Sequence, residues 1–235
     1  MGKNRSGRQA EKSGEVTLDR PTHQFYGRRK GKPLRRLHSE LMETLLPKVA
    51  VDMMQPLAAT PAPRILEIGF GGGEHLAHQA ALNPTTNYIG AEPFLNGVAK
   101  LLSEIEKRNL TNLRIHYGDA RPLLEALPAE SFERIYLLYP DPWPKLKQNK
   151  RRFVNATNLS HFARVLKPQG QFWFASDIDD YVQWTRERVA ASKLFDEQPD
   201  HTTPFENWIQ TRYEAKARRE GRGSTYLRFV KMNQT

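Results

Sequence analysis

The chain has 235 residues, enough for one large domain and an appended arm. It contains no cysteine, which excludes disulfides, thiolate metal sites and cysteine nucleophiles, and no apolar run of membrane-span or signal-peptide type, so a cytoplasmic protein without membrane contact is expected. The formal net charge of +10 is concentrated at one end, where residues 1–36 carry eleven Lys or Arg against three Asp or Glu; such an arm points to a polyanionic partner, nucleic acid first.

In chain order, residues 1–36 are polar and without periodicity and read as a mostly disordered basic arm, with 37–235 as a single domain. The densest basic patch is Gly27-Arg28-Arg29-Lys30-Gly31-Lys32-Pro33. Leu41, Leu45 and Val49 recur at helical spacing and predict a helix over 38–54, ended by Pro56. Thr60-Pro61-Ala62-Pro63 is a stiff linker. Strands are predicted over 64–68, 87–91, 112–117, 134–138 and 171–175, with helices between them over 74–81, 95–108, 123–127 and 151–166. Lys167-Pro168-Gln169-Gly170 reads as a helix stop and turn. Two further helices, over 178–191 and 205–220, precede a final strand over 225–230. This alternation argues for an α/β fold, a Rossmann-like, doubly wound, mostly parallel sheet with helices on both faces.

The first strand runs into Gly69-Phe70-Gly71-Gly72-Gly73 and a helix. A dinucleotide fingerprint beginning at Gly69 needs glycine where Glu74 stands, and a P-loop needs a Gly-Lys-Ser/Thr run that is absent. Glu67, just before the loop, would repel phosphates and suit a cationic or hydroxyl-bearing ligand. Glu92 ends the second strand, where an acid accepts ribose hydroxyls, and Asp119 follows the third, in reach of an adenine amino group. Carboxylates at three successive strand ends suit S-adenosylmethionine, which has a sulfonium, an ammonium, a ribose and no phosphate. As isolated features, such acids also serve as turn residues and helix caps.

The fourth strand stops at Tyr139-Pro140-Asp141-Pro142-Trp143-Pro144-Lys145. Three prolines lack N–H donors and make a stiff loop. That loop presents a carboxylate, an indole and a cation at a strand's carboxyl end. Lys145, Lys147, Lys150, Arg151 and Arg152 crowd this loop and the predicted helix start, where cations oppose the helix dipole and a phosphate would compensate. The seven histidines form no metal constellation, and His75 and His78 read as surface or packing residues.

Taken together, Leu66-Glu67-Ile68-Gly69-Phe70-Gly71, Gly90-Ala91-Glu92, Pro140-Asp141-Pro142-Trp143-Pro144-Lys145, Asn149-Lys150-Arg151-Arg152, Ala175-Ser176-Asp177 and Thr211-Arg212-Tyr213-Glu214 resemble class I S-adenosylmethionine-dependent methyltransferases, and closely the bacterial tRNA (guanine-N7)-methyltransferases. The resemblance implies a seven-stranded sheet with the last strand antiparallel. It implies methyl transfer to guanine N7 at position 46 of the tRNA variable loop. It implies that Glu67, Gly69, Gly71, Glu92, Asp119 and Asp141 surround the cofactor. Lys145, Asp177, Thr211, Arg212, Tyr213 and Glu214 would face the guanosine, and Lys147, Lys150, Arg151 and Arg152 the RNA. Two departures from the family pattern are Tyr139, where phenylalanine is common, and the run Lys145-Leu146-Lys147-Gln148, less basic than the usual Lys-Lys-Arg-His.

Guanine N7 carries a free lone pair, so no base must deprotonate it, and the chain offers carboxylates and aromatics rather than a nucleophile–histidine pair. Asp141 is the candidate catalytic residue, acting on the cofactor, the guanine or both. Trp143 either stacks on the base or anchors the loop, and Asp177 either faces the guanine or caps the following helix. A methyltransferase for small molecules or proteins would not need the basic footprint. A non-catalytic RNA-binding relative would not need an intact set of acids. Composition leaves monomer or homodimer open.

Overall fold

A computed structural model describes residues 25–53, 57, 60–200 and 202–233. Seven strands form one sheet: β1 (Arg64–Ile68), β2 (Asn87–Ala91), β3 (Leu113–His116), β4 (Phe132–Leu138), β5 (Leu166–Ser176), β6 (Phe195–Glu197) and β7 (Thr225–Lys231). Their order is β3-β2-β1-β4-β5-β7-β6, and only β7 runs antiparallel to its neighbours. The central strand β1 reads Arg-Ile-Leu-Glu-Ile, and its last four residues are buried because both faces of the sheet are covered. Leu66 and Ile68 enter one core with Phe172, Phe174 and Phe229. Ile65 enters the other with Leu76, Val98 and Tyr136.

The helices are α1 (Arg36–Thr44), α2 (Leu46–Val49), α3 (Glu74–Leu82), α4 (Leu95–Arg108), α5 (Ala120–Ala126), α6 (Ala156–Val165), α7 (Asp179–Ser192) and α8 (Arg212–Arg219). From β1 the chain winds outward to β2 and β3, then returns to β4 on the other side. The crevice beyond the carboxyl ends of β1 and β4 is therefore the topological switch point, where open α/β sheets hold ligands.

Several boundaries differ from the sequence expectation. The helix expected over 38–54 is split at Leu45, because Pro47 in the first turn of α2 cannot donate back along α1; residues 54–56 lie outside the described residues. α5 starts three residues early, capped by Asp119, since Pro122 in a first turn removes only an N–H that has no helical partner. The helix expected over 151–166 begins at Ala156, where Asn155 Oδ1 accepts from Asn158 N at 3.0 Å; Leu146–Arg151 forms a separate 3-10 turn. The basic cluster is thus not at an α-helix N-terminus, and the dipole argument for a compensating phosphate falls. α8 starts at Arg212 rather than 205, with Thr211 as its cap. Residues 167–170 form an irregular stretch inside β5, next to the register shift against β4, with Gln169 at φ 60°. The three-residue β6 is too short to leave a sequence pattern.

Of the arm, residues 1–24 lie outside the described residues. Residues 25–35 do not read as a disordered tail: Arg29 O accepts from Leu95 N at 2.9 Å, and the segment lies along the start of α4.

Candidate active site

The loop after β1 turns through Gly69, Gly71 and Gly73, whose φ values of 72°, 58° and 76° are left-handed and favour glycine. A Cβ on Gly97 would run into the Gly71 carbonyl oxygen, so the first turn of α4 rests directly on this loop. Glu92, at the end of β2, ties the two together. Its Oε2 accepts from Gly71 N at 2.7 Å and its Oε1 from Phe94 N at 2.9 Å. Burial pushes the Glu92 carboxyl up to about 6, with those two N–H donors pulling the other way. Asp119 accepts from Arg121 N at 3.0 Å and pairs with the Arg121 guanidinium, combining helix cap and ion pair.

The Pro-Asp-Pro-Trp-Pro loop is held in a sparsely populated conformation. Tyr139 and Trp143 sit at φ 49° and 44°, which costs on the order of 1 kcal/mol each for bulky side chains. Tyr139 is fixed on both sides: its N–H donates to Ala175 O at 2.7 Å, and its hydroxyl bonds Ser224 Oγ at 2.8 Å. From inside, Arg152 Nε donates to Pro142 O at 2.9 Å while the guanidinium pairs with Asp180 and lies over the Tyr181 and Trp184 rings. Asp141, between the clamped points, is left exposed on the wall of the crevice. Desolvation by the surrounding protein raises its carboxyl above the ordinary range.

The crevice is a cavity of about 390 Å³. It brings together Gly69, Gly71, Glu92, Asp119, Asp141 and Tyr213, with Lys150, Arg151 and Arg152 along one side. Ile68, Phe94, Ala120, Leu137 and Phe153 supply apolar wall. Trp143 also faces it. Its ring meets Tyr26 edge-on at 6.2 Å, and Arg151 lies over both rings, 4.3 Å from Tyr26 and 5.0 Å from Trp143.

Other expected site residues lie elsewhere. Glu67 is on the far face of β1, where its Oε2 is 2.7 Å from His75 Nδ1 in a buried pair, so it does not line the cavity. Arg152, expected at the RNA, has a fully buried side chain. Asp177 pairs with Arg222 at 2.7 Å and does not cap α7; Ser176 Oγ accepts from Ile178 N at 3.2 Å instead. Thr211 Oγ1 accepts from Glu214 N at 3.2 Å. Glu214 is buried and accepts from Trp208 Nε1 at 2.7 Å, Arg218 Nη2 at 2.6 Å and the Tyr226 hydroxyl at 3.2 Å. Arg212 pairs with Glu74 at 2.5 Å and lies against Gly72. These contacts seat α8 so that Tyr213 reaches over Gly71. Lys145 and Lys147 are exposed beside the cavity rather than in it.

Sequence reasoning missed the wall formed by Phe25, Tyr26, Gly27 and Arg28. The only signal was an aromatic pair, Phe25-Tyr26, inside an otherwise polar arm. Among the described residues no group of three or more His, Asp or Glu could hold a metal ion, and no helix is long and apolar enough to cross a membrane.

Residues 61–227 match a family described as putative methyltransferase. A tRNA (guanine-N(7)-)-methyltransferase of Rhizobium meliloti (strain 1021) is 53% identical over 222 residues, which are 89% of this chain and 96% of that protein. One of Agrobacterium fabrum is 51% identical over 229 residues, 92% of this chain and 99% of that protein. The fold resembles that of the 16S rRNA methyltransferase KamB, with a TM-score of 0.55 at 18% identity over 86% of this chain and 98% of that one. With two such relatives matched nearly end to end, and with the glycine loop, the Asp141 loop and α8 converging on one cavity, the chain belongs to the tRNA (guanine-N7)-methyltransferases, enzymes of the class I methyltransferase fold.

Proposed function

We propose that the cavity binds S-adenosylmethionine and that the protein transfers its methyl group to N7 of a guanine in the tRNA variable loop. The observation that carries this reading is the meeting of two acids, Glu92 and Asp141, in one cavity. Glu92 is fixed by the glycine loop, and Asp141 is exposed on a loop clamped from both ends. The donor set fits the proposed cofactor: carboxylates for cationic and hydroxyl groups, and an apolar side for a purine. S-adenosylmethionine, when bound, supplies an electrophilic methyl group on a sulfonium.

The chain's own residues then have distinct tasks. Glu92, with both oxygens aimed by backbone donors, keeps lone pairs for ligand hydroxyls. Asp119 stands at the cap of α5, where a purine edge would lie against Ala120. Methylation leaves positive charge on the guanine ring, and the Asp141 carboxylate is the nearby group that stabilises it. The rigid turn at Tyr139 and Trp143 supplies the orientation. Lys145, Lys147 and Lys150 form the exposed cationic edge for tRNA phosphates. Arg151, held between Tyr26 and Trp143, belongs to the cavity wall more than to that edge. Such an enzyme works in the cytoplasm, where its tRNA is.

The test is methyl transfer from S-adenosylmethionine to unmodified tRNA, followed by nucleoside analysis and site mapping. One N7-methylguanosine in the variable loop, reduced at least about 100-fold in Asp141→Asn, is expected. A product elsewhere in the tRNA would refute the position, and an unimpaired variant would refute the role of Asp141.

A further inference from the structure

Part of the cavity wall, Phe25 to Arg28, belongs to a strap, residues 25–33, that comes from the arm and is tied to the start of α4. Asn96, in the first turn of α4, holds it with both ends of its carboxamide. Its Oδ1 accepts from Gly31 N at 2.7 Å, and its Nδ2 donates to Lys32 O at 2.8 Å. Beside it Leu95 N donates to Arg29 O at 2.9 Å. Those anchor residues follow Glu92 by only three and four positions, on the same turn that Phe94 N ties to the Glu92 carboxylate. At its other end the strap places Tyr26 over Arg151 and against Trp143, in the cavity that Glu92 also lines.

We infer that Asn96 is a positioning residue for the methyl donor: it latches the strap 25–33 over the cofactor, so that the latch sets how fast the donor and its demethylated product are released. The inference rests on the reading of the cavity as the S-adenosylmethionine site. Phe25, Tyr26, Gly27 and Arg28 of the strap line the same cavity as Glu92 and Asp119. Movement of a segment that lines a binding cavity can gate ligand release. The carboxamide makes two hydrogen bonds to strap backbone and none to the body of the fold, so its contribution is to strap placement. Gly31 is matched to it: a Cβ there would stand 2.6 Å from Asn96 Oδ1 and 3.0 Å from the Phe94 ring, so any larger residue obliges the carboxamide to shift.

Two variants probe the same contact from opposite sides. Asn96→Ala removes the carboxamide, and Gly31→Ala pushes the strap off it. Binding and release of S-adenosylhomocysteine are measured by titration calorimetry and stopped-flow fluorescence on the full chain, alongside KM and kcat for methyl transfer. Each variant is expected to raise the dissociation constant and off-rate about tenfold, as loss of a pair of hydrogen bonds predicts. The effect should fall on KM for the donor rather than on kcat. The double variant should be no worse than either single one, because both break one contact. Asn96→Asp, which keeps the acceptor for Gly31 N, should lie between native and Asn96→Ala. The ligand-free melting temperature should hold in both single variants, since the contact lies outside the core. Native protein that binds S-adenosylhomocysteine while both variants release it at the native rate overturns the latch and leaves the site reading intact. Native protein that fails to bind it overturns both.

Discussion

Arg152 Nε donates to the carbonyl oxygen of Pro142 at 2.9 Å, so the residue after Asp141 is held in place from inside the protein. The same guanidinium pairs with Asp180, which is two-thirds exposed, while its own side chain has no exposure at all. Arg152→Ala is expected to lower the unfolding free energy by about 3 kcal/mol, since it leaves the half-buried Pro142 carbonyl without its donor and opens a cavity between Tyr181 and Trp184. Arg152→Lys should recover only part of this, because an ammonium cannot serve Pro142 and Asp180 in one plane. Urea denaturation of the three proteins measures both differences.

Glu92 gives the cavity a pH dependence. Its carboxyl titrates near 6, and only the anion accepts hydroxyl donors on both oxygens. The dissociation constant for S-adenosylhomocysteine should therefore rise as pH falls through about 6, and Asp141, also raised, should act in the same direction. Glu92→Gln should bind more weakly and show a flatter profile. Stability has the opposite sign. The folded-state value of about 6 lies above the ordinary 4.5, so the native protein takes up the proton first. Glu92's contribution makes the protein more stable as pH falls from about 6 towards 4.5. Calorimetric titration and thermal melts across this range separate the two effects.

Glu214 is the acceptor that seats α8. Glu214→Ala removes the acceptor shared by the Trp208 indole, the Tyr226 hydroxyl and Arg218, and should destabilise the fold by about 3 kcal/mol. Tyr213 would lose its place over Gly71, so donor affinity should fall with stability. Glu214→Gln keeps an acceptor and should lose less of both. A Glu214→Gln protein of native stability that no longer methylates tRNA would instead show the carboxylate itself touching the guanosine.

Leu146 is 88% exposed, at the start of the 3-10 turn between two lysines. Leu146→Lys should tighten tRNA binding at low salt and steepen the salt dependence by roughly one phosphate contact. Filter binding over a range of salt concentrations measures the slope.

The sheet was legible because its strands are short apolar runs between turn signals. β1, β2 and α4 fall where the pattern puts them, and α4 carries its apolar stripe through Val98, Leu101, Leu102 and Ile105. Failures were local where a proline or a basic run has two readings. Pro47 breaks a helix while Pro122 opens one, and the periodicity of the surrounding residues does not distinguish them. The acids at strand ends were found by position, yet position alone does not say which way a side chain points. Glu92 turns to the glycine loop, whereas Glu67, on the central strand, turns to His75. The strap was illegible for a different reason. Its partners Asn96, Arg151 and Trp143 are 64 or more residues away, and nothing in the arm encodes that distance.

β7 follows every other strand in chain order but lies inside the sheet, between β5 and β6. Its Leu227 and Phe229 complete the core against Phe172, and its Tyr226 completes the Glu214 network. During synthesis the edge of β5 must therefore wait, unpaired, until the ribosome has passed Lys231. A nascent or truncated chain that stops short of β7 presents an open strand edge flanked by buried aromatics, the kind of surface chaperones cover and aggregates grow from. Catalytic competence thus arrives late in the life of each chain, and loss of the last strand is expected to be a fault of folding before it is a fault of chemistry.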